Sequence, residues 1–276
     1  MKKLIKFAKR QNPISRYPLN DKKIQEEREK ITAERERLNS DIALFNDTLH
    51  EVRKINNQLK SSALQLSNAL KGIYIDDLED EKVIKNIRKN IEANTNLLSI
   101  RMDAYDMLLN PDSIGEEMEV PIDIYRKVEK LYKCLYAKRI EKCLNVELIG
   151  HTDRKYRLTN TIELGFFIIF ENAIKYSPNG DNITAEFFEC EDQLEVVFTN
   201  WGIRPLDNEI SKIKERGFRS ERVIKETTIE GSGLGLYLLE QICDSNDVEL
   251  RILIGNGSKR VNGITYAPFV VRLLFK

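Results

Sequence analysis

LGFFIIFENAIKYSP, residues 164–178, sets an unbroken apolar run against an abruptly polar end. On a helix Asn172, Lys175 and Tyr176 fall at i, i+3 and i+4, so they stack on one face while Phe167, Ile168 and Ile169 are free to bury. A solvated helix end would account for these residues taken alone, so other segments must decide. One is GSGLGL, Gly231 to Leu236, which leads into an apolar helix. Its glycines permit close backbone approach, and the free N–H groups of a helix N-terminus favour an anion. A dinucleotide fold needs a strand directly before such glycines, whereas a polar, charge-rich loop from Ile203 to Glu230 precedes these, so that fold is excluded. Between the two segments lie FTNWGIRP (198–205), read as a strand ending at Asn200 with a flexible Gly202 and then a turn, and RGFRS (216–220).

The 276 residues are enough for one large or two ordinary domains, and 41% hydrophobic residues suffice for a real core. Lysine plus arginine and aspartate plus glutamate both number 44, so no net field draws the protein to a polyanion, and no nucleic-acid partner is expected. The opening MKKLIKFAKR interrupts its apolar residues with lysines and reads, with the rest of 1–20, as a basic tail rather than a leader. No window reaches the roughly 18 apolar residues of a membrane span, which predicts a soluble, cytoplasmic protein with no direct span. Cys134, Cys143, Cys190 and Cys243 lack CxxC spacing, which suits thiols in a reducing compartment better than zinc or disulfides.

From Asp21 to Leu70 the chain reads as one helix without Pro or Gly. Ile42, Phe45, Leu49, Val52, Leu59, Ala63, Leu66 and Leu70 form a coiled-coil seam interrupted at Asn56, with a weaker continuation through Ile24, Ile31 and Leu38. A second helical run carries Val83 to Tyr105 and ends near Pro111. Residues 21–113 are therefore expected to form a long-helix hairpin. A hairpin buries one stripe only, so a homodimer completing a four-helix bundle is the economical solution. From residue 114 the pattern changes: a short strand in EEMEVPI, a helix over 122–142, a strand in NVELIG, a helix over 160–176, and a hairpin of ITAEFFE and LEVVFTN. A helix beginning in GSGLGL and the strands VELRILIG and FVVRLLF follow. The whole is α+β, with residues 114–276 a two-layer α/β sandwich, one face of the sheet covered by helices.

An Asn/Lys helix, a strand ending in N-x-G, a G-F-R element, a loop and G-x-G-x-G, in that order, resemble the ATP-binding domain of sensor histidine kinases. Gyrase, a heat-shock chaperone and mismatch-repair ATPases share the wider superfamily. The resemblance covers residues 114–276 and implies a cleft for ATP and Mg²⁺. By it Asn172 coordinates Mg²⁺, Lys175 meets a phosphate and Tyr176 lies against the nucleotide. Asn200, Gly202 and Arg219 join the nucleotide site, and Gly231, Ser232, Gly233, Leu234, Gly235 and Leu236 cradle phosphates beneath a lid over 220–230. The resemblance extends to TLHEVRKINNQL (48–59), which is similar to a phosphoacceptor box: His50 is the implied nucleophile and Glu51 the group that takes its proton or holds its tautomer. The other histidine, His151, has no partner of ligand spacing and is expected to be ordinary.

Four departures from the pattern stand out. Asn200, Gly202 and Arg204 occupy a motif that usually begins with an aspartate accepting a hydrogen bond from adenine, although an amide oxygen can accept that bond too. Ile168 stands where another Asn, or in hydrolytic relatives a Glu, is usual, which disfavours simple ATP hydrolysis. Lys214 replaces a phenylalanine of the G-F-R element. Ile55 and Lys54 replace a Pro and a Thr or Asn in the acceptor box, which implies poor dephosphorylation of a partner. The expected function is autophosphorylation of His50 and transfer to a response-regulator receiver domain on another chain, under an upstream sensor. The alternatives are a degenerate ATP-binding switch without phosphotransfer and a coiled-coil scaffold.

Overall fold

A computed structural model describes residues 21–72, 78–109 and 118–276, apart from 192 and 230. Side chains at a number of positions in the two long helices, His50 and Glu51 among them, lie outside the described residues, as do residues 1–20 and 73–77. Backbone contacts divide the chain into 1–44 and 45–276. In the first unit the described residues are helical from Asp21, and Ile31, Leu38 and Ile42 are exposed.

Helices α1 (Asp21–Gly72) and α2 (Leu78–Leu109) agree with the sequence reading as helices. Within the second unit α1 buries Ile55 and Ser62 and half-buries Leu59 and Leu66. This stripe steps by 4, 3 and 4. It shares Leu59 and Leu66 with the expected seam, half-buried Val52 extends it three residues before Ile55, Ile55 is an addition to the seam, and Ala63 is exposed. The cause is packing: Ile55 and Leu59 join Leu97 and Ile100 of α2 in the main apolar core.

Strand β1 (Val120–Asp123) is followed by α3 (Ile124–Cys134) and α4 (Tyr136–Glu141). The single helix expected over 122–142 is thus shortened and broken. Asp123 still belongs to the strand and caps α3, its Oδ1 accepting from the Arg126 N–H at 2.9 Å. Leu135 lies between the two helices with ψ of 9°, off the helical value. β2 (Asn145–Ile149) and β3 (Lys155–Leu158) come next, and β3 pairs antiparallel with β1 in a two-stranded sheet that the sequence did not announce.

α5 (Ile162–Tyr176) is the site helix. β4 (Asn182–Cys190) and β5 (Gln193–Ile203) form the expected hairpin, but β5 runs on past Asn200. Gly202 is a strand residue opposite Ala267, not the start of a turn. After β5 come a 3₁₀ turn (Asp207–Lys212), α6 (Glu221–Glu226), α7 (Gly235–Ser245), β6 (Glu249–Ile254), β7 (Lys259–Val261) and β8 (Ile264–Phe275). The larger sheet has the order β2-β4-β5-β8-β6, with β7 also on β8; β2–β4 is parallel and every other pair antiparallel. The fold is α+β with a mixed sheet.

Inward residues of β5 (Leu194, Val196, Phe198) and β8 (Val271, Leu273, Phe275) meet α5 and α7 in one core. Phe166 of α5 is fully buried, its ring 6.2 Å from that of Phe198 and 6.3 Å from that of Phe275. Two polar ties fix the entry of α5. Glu163 accepts from Lys127 at 2.5 Å and Lys130 at 2.7 Å, both on α3. Asn246, after α7, accepts the Thr159 N–H at 2.7 Å.

Phe166→Ala should lower stability by about 3–5 kcal/mol. Urea denaturation of the full chain measures it, and a loss under about 1 kcal/mol would show that this layer is not packed as described.

Candidate functional site

α5 is buried along nearly its whole length, with Ile162, Leu164 to Phe170, Ala173 and Ile174 all buried. Beyond Glu163 at its start, it reaches a surface at its C-terminal end, where Asn172, Lys175 and Tyr176 sit half-buried. The helix ends because Pro178 follows and Ser177 turns to extended backbone (φ −75°, ψ 147°). Its last carbonyls are not left to water. Lys142 Nζ donates to the carbonyls of Ile174 (2.8 Å), Lys175 (3.0 Å) and Ser177 (2.7 Å), spending all three ammonium protons on the helix C-terminus. Burial pulls the pKa of Lys142 down. Nothing in the sequence pattern marks this residue as a helix cap.

Beside that last turn opens a cleft of about 820 Å³, counted to its mouth. Asn172, Tyr176, Asn200, Gly202, Arg219 and Leu236 line it, six of the residues singled out from the sequence. The rest of the wall is mostly apolar: Ile169, Phe198, Phe218, Val223, Phe269 and neighbours. A half-open apolar slot with a few converging polar groups is the form of a small-molecule site. Asn200 is 7% exposed and its Nδ2 donates to Ser177 Oγ at 3.0 Å. A side chain at Gly202 would press its Cβ to 3.1 Å from Cβ of Phe269, so the strand there admits only glycine without movement.

The glycine loop meets the same helix end. A Cβ at Gly231 would stand 2.6 Å from Lys175 Nζ, and one at Gly235 would stand 3.4 Å from Asn172 Nδ2 and 3.3 Å from Ile168 Cγ2. Gly233 has φ +71°, and a Cβ there would meet the Phe218 carbonyl oxygen at 2.4 Å. The Gly217 N–H donates to the Gly233 carbonyl at 3.1 Å. The loop and the G-F-R segment therefore lie backbone against backbone, which only glycine allows. Leu234 occupies the N-cap of α7 without a side-chain cap, so the first amides of that helix are free for an anion. Ser232 is half-buried in the same loop.

Arg219 brings charge to this apolar wall. Its guanidinium donates to the Ile229 carbonyl, and its Nε is buried without a hydrogen-bond partner among the described residues. Burial raises the Tyr176 phenol pKa, the Arg219 charge opposing and Glu171 adding to it. An orphaned guanidinium nitrogen and a glycine cradle over a lysine suit a phosphorylated ligand. No group of three or more His, Cys, Asp or Glu side chains among the described residues is placed to hold a metal. The Asn172 amide, half-buried on the cleft wall beneath Gly235, carries an oxygen of the kind that Mg²⁺ takes.

The departures also find their places. Ile168 is 7% exposed beneath Gly235, so no polar side chain occupies that position. Lys214 forms an ion pair with Glu240 of α7 at 2.5 Å, and Arg204 reaches Asp207 at 3.4 Å. Glu209 is a site residue that sequence reasoning missed. It accepts from the Leu206 N–H, the Ser220 hydroxyl and the Glu221 N–H, each at 2.8 Å, fastening the root of the 220–230 segment. Burial works to raise its pKa and is outweighed by those donors and by nearby Arg222, so the carboxyl is held below its ordinary value. A Glu three residues into a short turn was the signal available. His151 is exposed, next to Asp153 and Tyr125, away from the lining of the cleft.

No family model matches the chain. Among curated proteins it is similar to the histidine protein kinase SaeS of Staphylococcus epidermidis strain ATCC 35984, 26% identical over 240 residues, covering 73% of this chain and 67% of that protein. It is also similar to SaeS of Staphylococcus aureus strain USA300, 22% identical over 230 residues, covering 75% of this chain. The match spans 65% of the length of that relative. A solved structure of the mycobacterial sensor histidine kinase MprB aligns over 57% of this chain and 96% of its own, 17% identical, with a TM-score of 0.44, too low to carry an inference. The resemblance to histidine kinases drawn from the motifs is thus shared by the comparison with curated proteins, over 73–75% of this chain. No helix among the described residues is long and apolar enough to cross a membrane.

Gly233→Ala forces a Cβ into the Phe218 carbonyl at an unfavourable φ, and nucleotide affinity should fall at least about tenfold; isothermal titration reads it, and unchanged affinity would dissociate the loop from binding. Glu209 stabilises the fold above its ordinary pKa of 4.5, and that contribution is lost as pH falls through its depressed folded value. Glu209→Gln should abolish this acid-side step, visible as a difference between melting curves of the two proteins measured from about pH 6 to pH 3.

Proposed function

We propose that the chain is an ATP-dependent protein histidine kinase whose nucleophile is His50. The observation that carries the proposal is the convergence of Asn172, Lys175 and Tyr176 with Asn200, Arg219 and the 231–236 loop at the end of α5. The apolar slot takes the adenine, and the Gly231 to Leu236 amides and Lys175 take the phosphates. Mg²⁺, held by those phosphates and Asn172, neutralises charge on them. An imidazole nitrogen of His50 attacks the γ-phosphorus, the bond to the β,γ-bridging oxygen breaks, ADP departs, and Glu51 accepts the imidazole proton. The phosphoryl group then passes to an aspartate of a response-regulator receiver on a separate chain. Catalysis is chiefly positioning and charge neutralisation. With Ile168 in place of a water-activating carboxylate, transfer rather than hydrolysis is favoured.

The division proposed is a basic tail over 1–20, a helical hairpin over 21–113 and an ATP-binding domain over 114–276, the protein being cytoplasmic. The hairpin pairs with a second copy in a four-helix bundle. Ile31, Leu38 and Ile42, which are 62%, 59% and 51% exposed on a single chain, support a helical partner. An upstream sensor acts through the packing of that helix.

Incubation of the full chain with γ-labelled ATP and Mg²⁺ should give an acid-labile protein label. His50→Gln should abolish the label while leaving nucleotide affinity within about twofold, and Asn172→Ala should lower the label at least about a hundredfold. Nucleotide binding without label would replace the kinase by a non-transferring switch, and no binding would leave a scaffold.

A further inference from the structure

The 231–236 loop and the end of α5 meet with opposed electrostatics. A helix gathers about half a negative charge at its C-terminus, where the last carbonyls lack intrahelical partners. The loop sits against that end: a Cβ at Gly231 would stand 2.6 Å from Lys175 Nζ, and one at Gly235 would stand 3.7 Å from Asn172 Oδ1. The amides at the start of α7 favour an anion there, whereas the carbonyls at the end of α5 oppose one. Glu171, one residue before Asn172, brings a carboxylate to the same region. A bare helix end of this kind is the wrong neighbour for several phosphates.

Helix α4 answers both features. Lys138 Nζ pairs with the Glu171 carboxylate at 3.0 Å. Four residues on, at the C-cap of α4, Lys142 sends its Nζ to the carbonyls of Ile174 at 2.8 Å, Lys175 at 3.0 Å and Ser177 at 2.7 Å. Its backbone is held as well, because the Gly180 N–H donates to the Lys142 carbonyl at 2.9 Å. The chain leaving α5 therefore returns to the residue that caps it. Among the described residues no carboxylate pairs with Lys142, so its charge stands against carbonyl dipoles alone. Lys142 does not line the cleft.

We propose that Lys142 is a positioning residue for the phosphates of the ligand. By setting a full positive charge against the C-terminus of α5 it cancels the field that would repel a polyanion from the glycine loop, and it holds the turn that carries Asn172 and Lys175. A neutral donor in its place would keep hydrogen bonds to the turn and lose the charge. The effect scales with the charge of the ligand, so it falls on the phosphates and leaves the base and ribose unaffected. The inference rests on the cleft being a nucleotide site and adds what makes the end of a helix acceptable to the charged part of the nucleotide.

The test is displacement of a fluorescent ADP analogue from the full chain in Mg²⁺ by ATP and by adenosine, taking the ratio of the two affinities. Lys142→Gln, which keeps amide protons for the carbonyls, should lower the ATP-to-adenosine ratio at least about fivefold, through ATP rather than adenosine. Lys142→Arg, which keeps the charge, should hold the ratio within about twofold of wild type. Should circular dichroism show that the Lys142→Gln chain does not fold, Lys142→Met, which fills the space without charge, carries the same expected fall. A merely structural lysine would lower both affinities together. An unchanged ratio in the neutral variant, or a ratio in Lys142→Arg as low as in Lys142→Gln, overturns the inference while leaving the nucleotide site standing. Failure of wild type to bind the analogue overturns the nucleotide reading itself, and this inference with it.

Discussion

A helix buried on nearly every side can offer polar groups only at its end, and α5 is such a helix. Ten of its residues are buried, between the sheet on one side and α3 and α7 on others. Leaving hydrocarbon, it must change chemistry within a single turn, and in that turn stand Asn172, Lys175 and Tyr176. The burial that makes the helix the centre of the core also fixes where its functional side chains stand, because the turn cannot shift without unpacking Phe166 and Phe170. Lys142 completes this arrangement. An ammonium buried against three carbonyls would be costly without partners, yet here every proton has one, and the frayed end usual for a helix is held instead.

Around this fixed point the cleft is built by close approach. Gly233 lets the loop pass the Phe218 carbonyl at a distance no Cβ could tolerate, while Gly231 and Gly235 bring it against the mobile end of Lys175 and against Ile168 and Asn172. The loop is thus shaped by the helix end below it and by the G-F-R backbone beside it. Each contact uses a residue that the motif pattern had marked for the ligand, so the glycines serve both the protein's own packing and its anion site.

The most legible parts of the sequence were those where one segment carries its whole signal. The solid apolar run before Asn172 could only be a buried helix, the alternation in LEVVFTN could only be a half-buried strand, and the glycine loop announced itself. What escaped depends on partners far along the chain. β3 (KYRL) and β7 (KRV) are short and charged, and they are strands because β1 and β8 offer them edges. Gly202 was read as leaving the strand, whereas β8 is long enough to pair β5 as far as Ile203. Ile55 was set aside as a substituted position in the acceptor box, and it turns inward because Leu97 and Ile100 lie in the same core. Lys142 and Glu209 gave no sign of their roles, since each acts by hydrogen bonds to segments its own neighbours do not predict.

Strand β8 follows every strand it pairs with. β5, β6 and β7 all pair with it, and its register with β5 joins Leu194 to Phe275, residues far apart along the chain. While the chain is being synthesised, β5 and β6 wait with bare edges and the sheet lacks its middle. The domain therefore closes only after translation has delivered the last of these segments, and the slow, non-local closure this topology imposes is the stage at which a nascent chain is most exposed to wrong edge pairing and to chaperone capture.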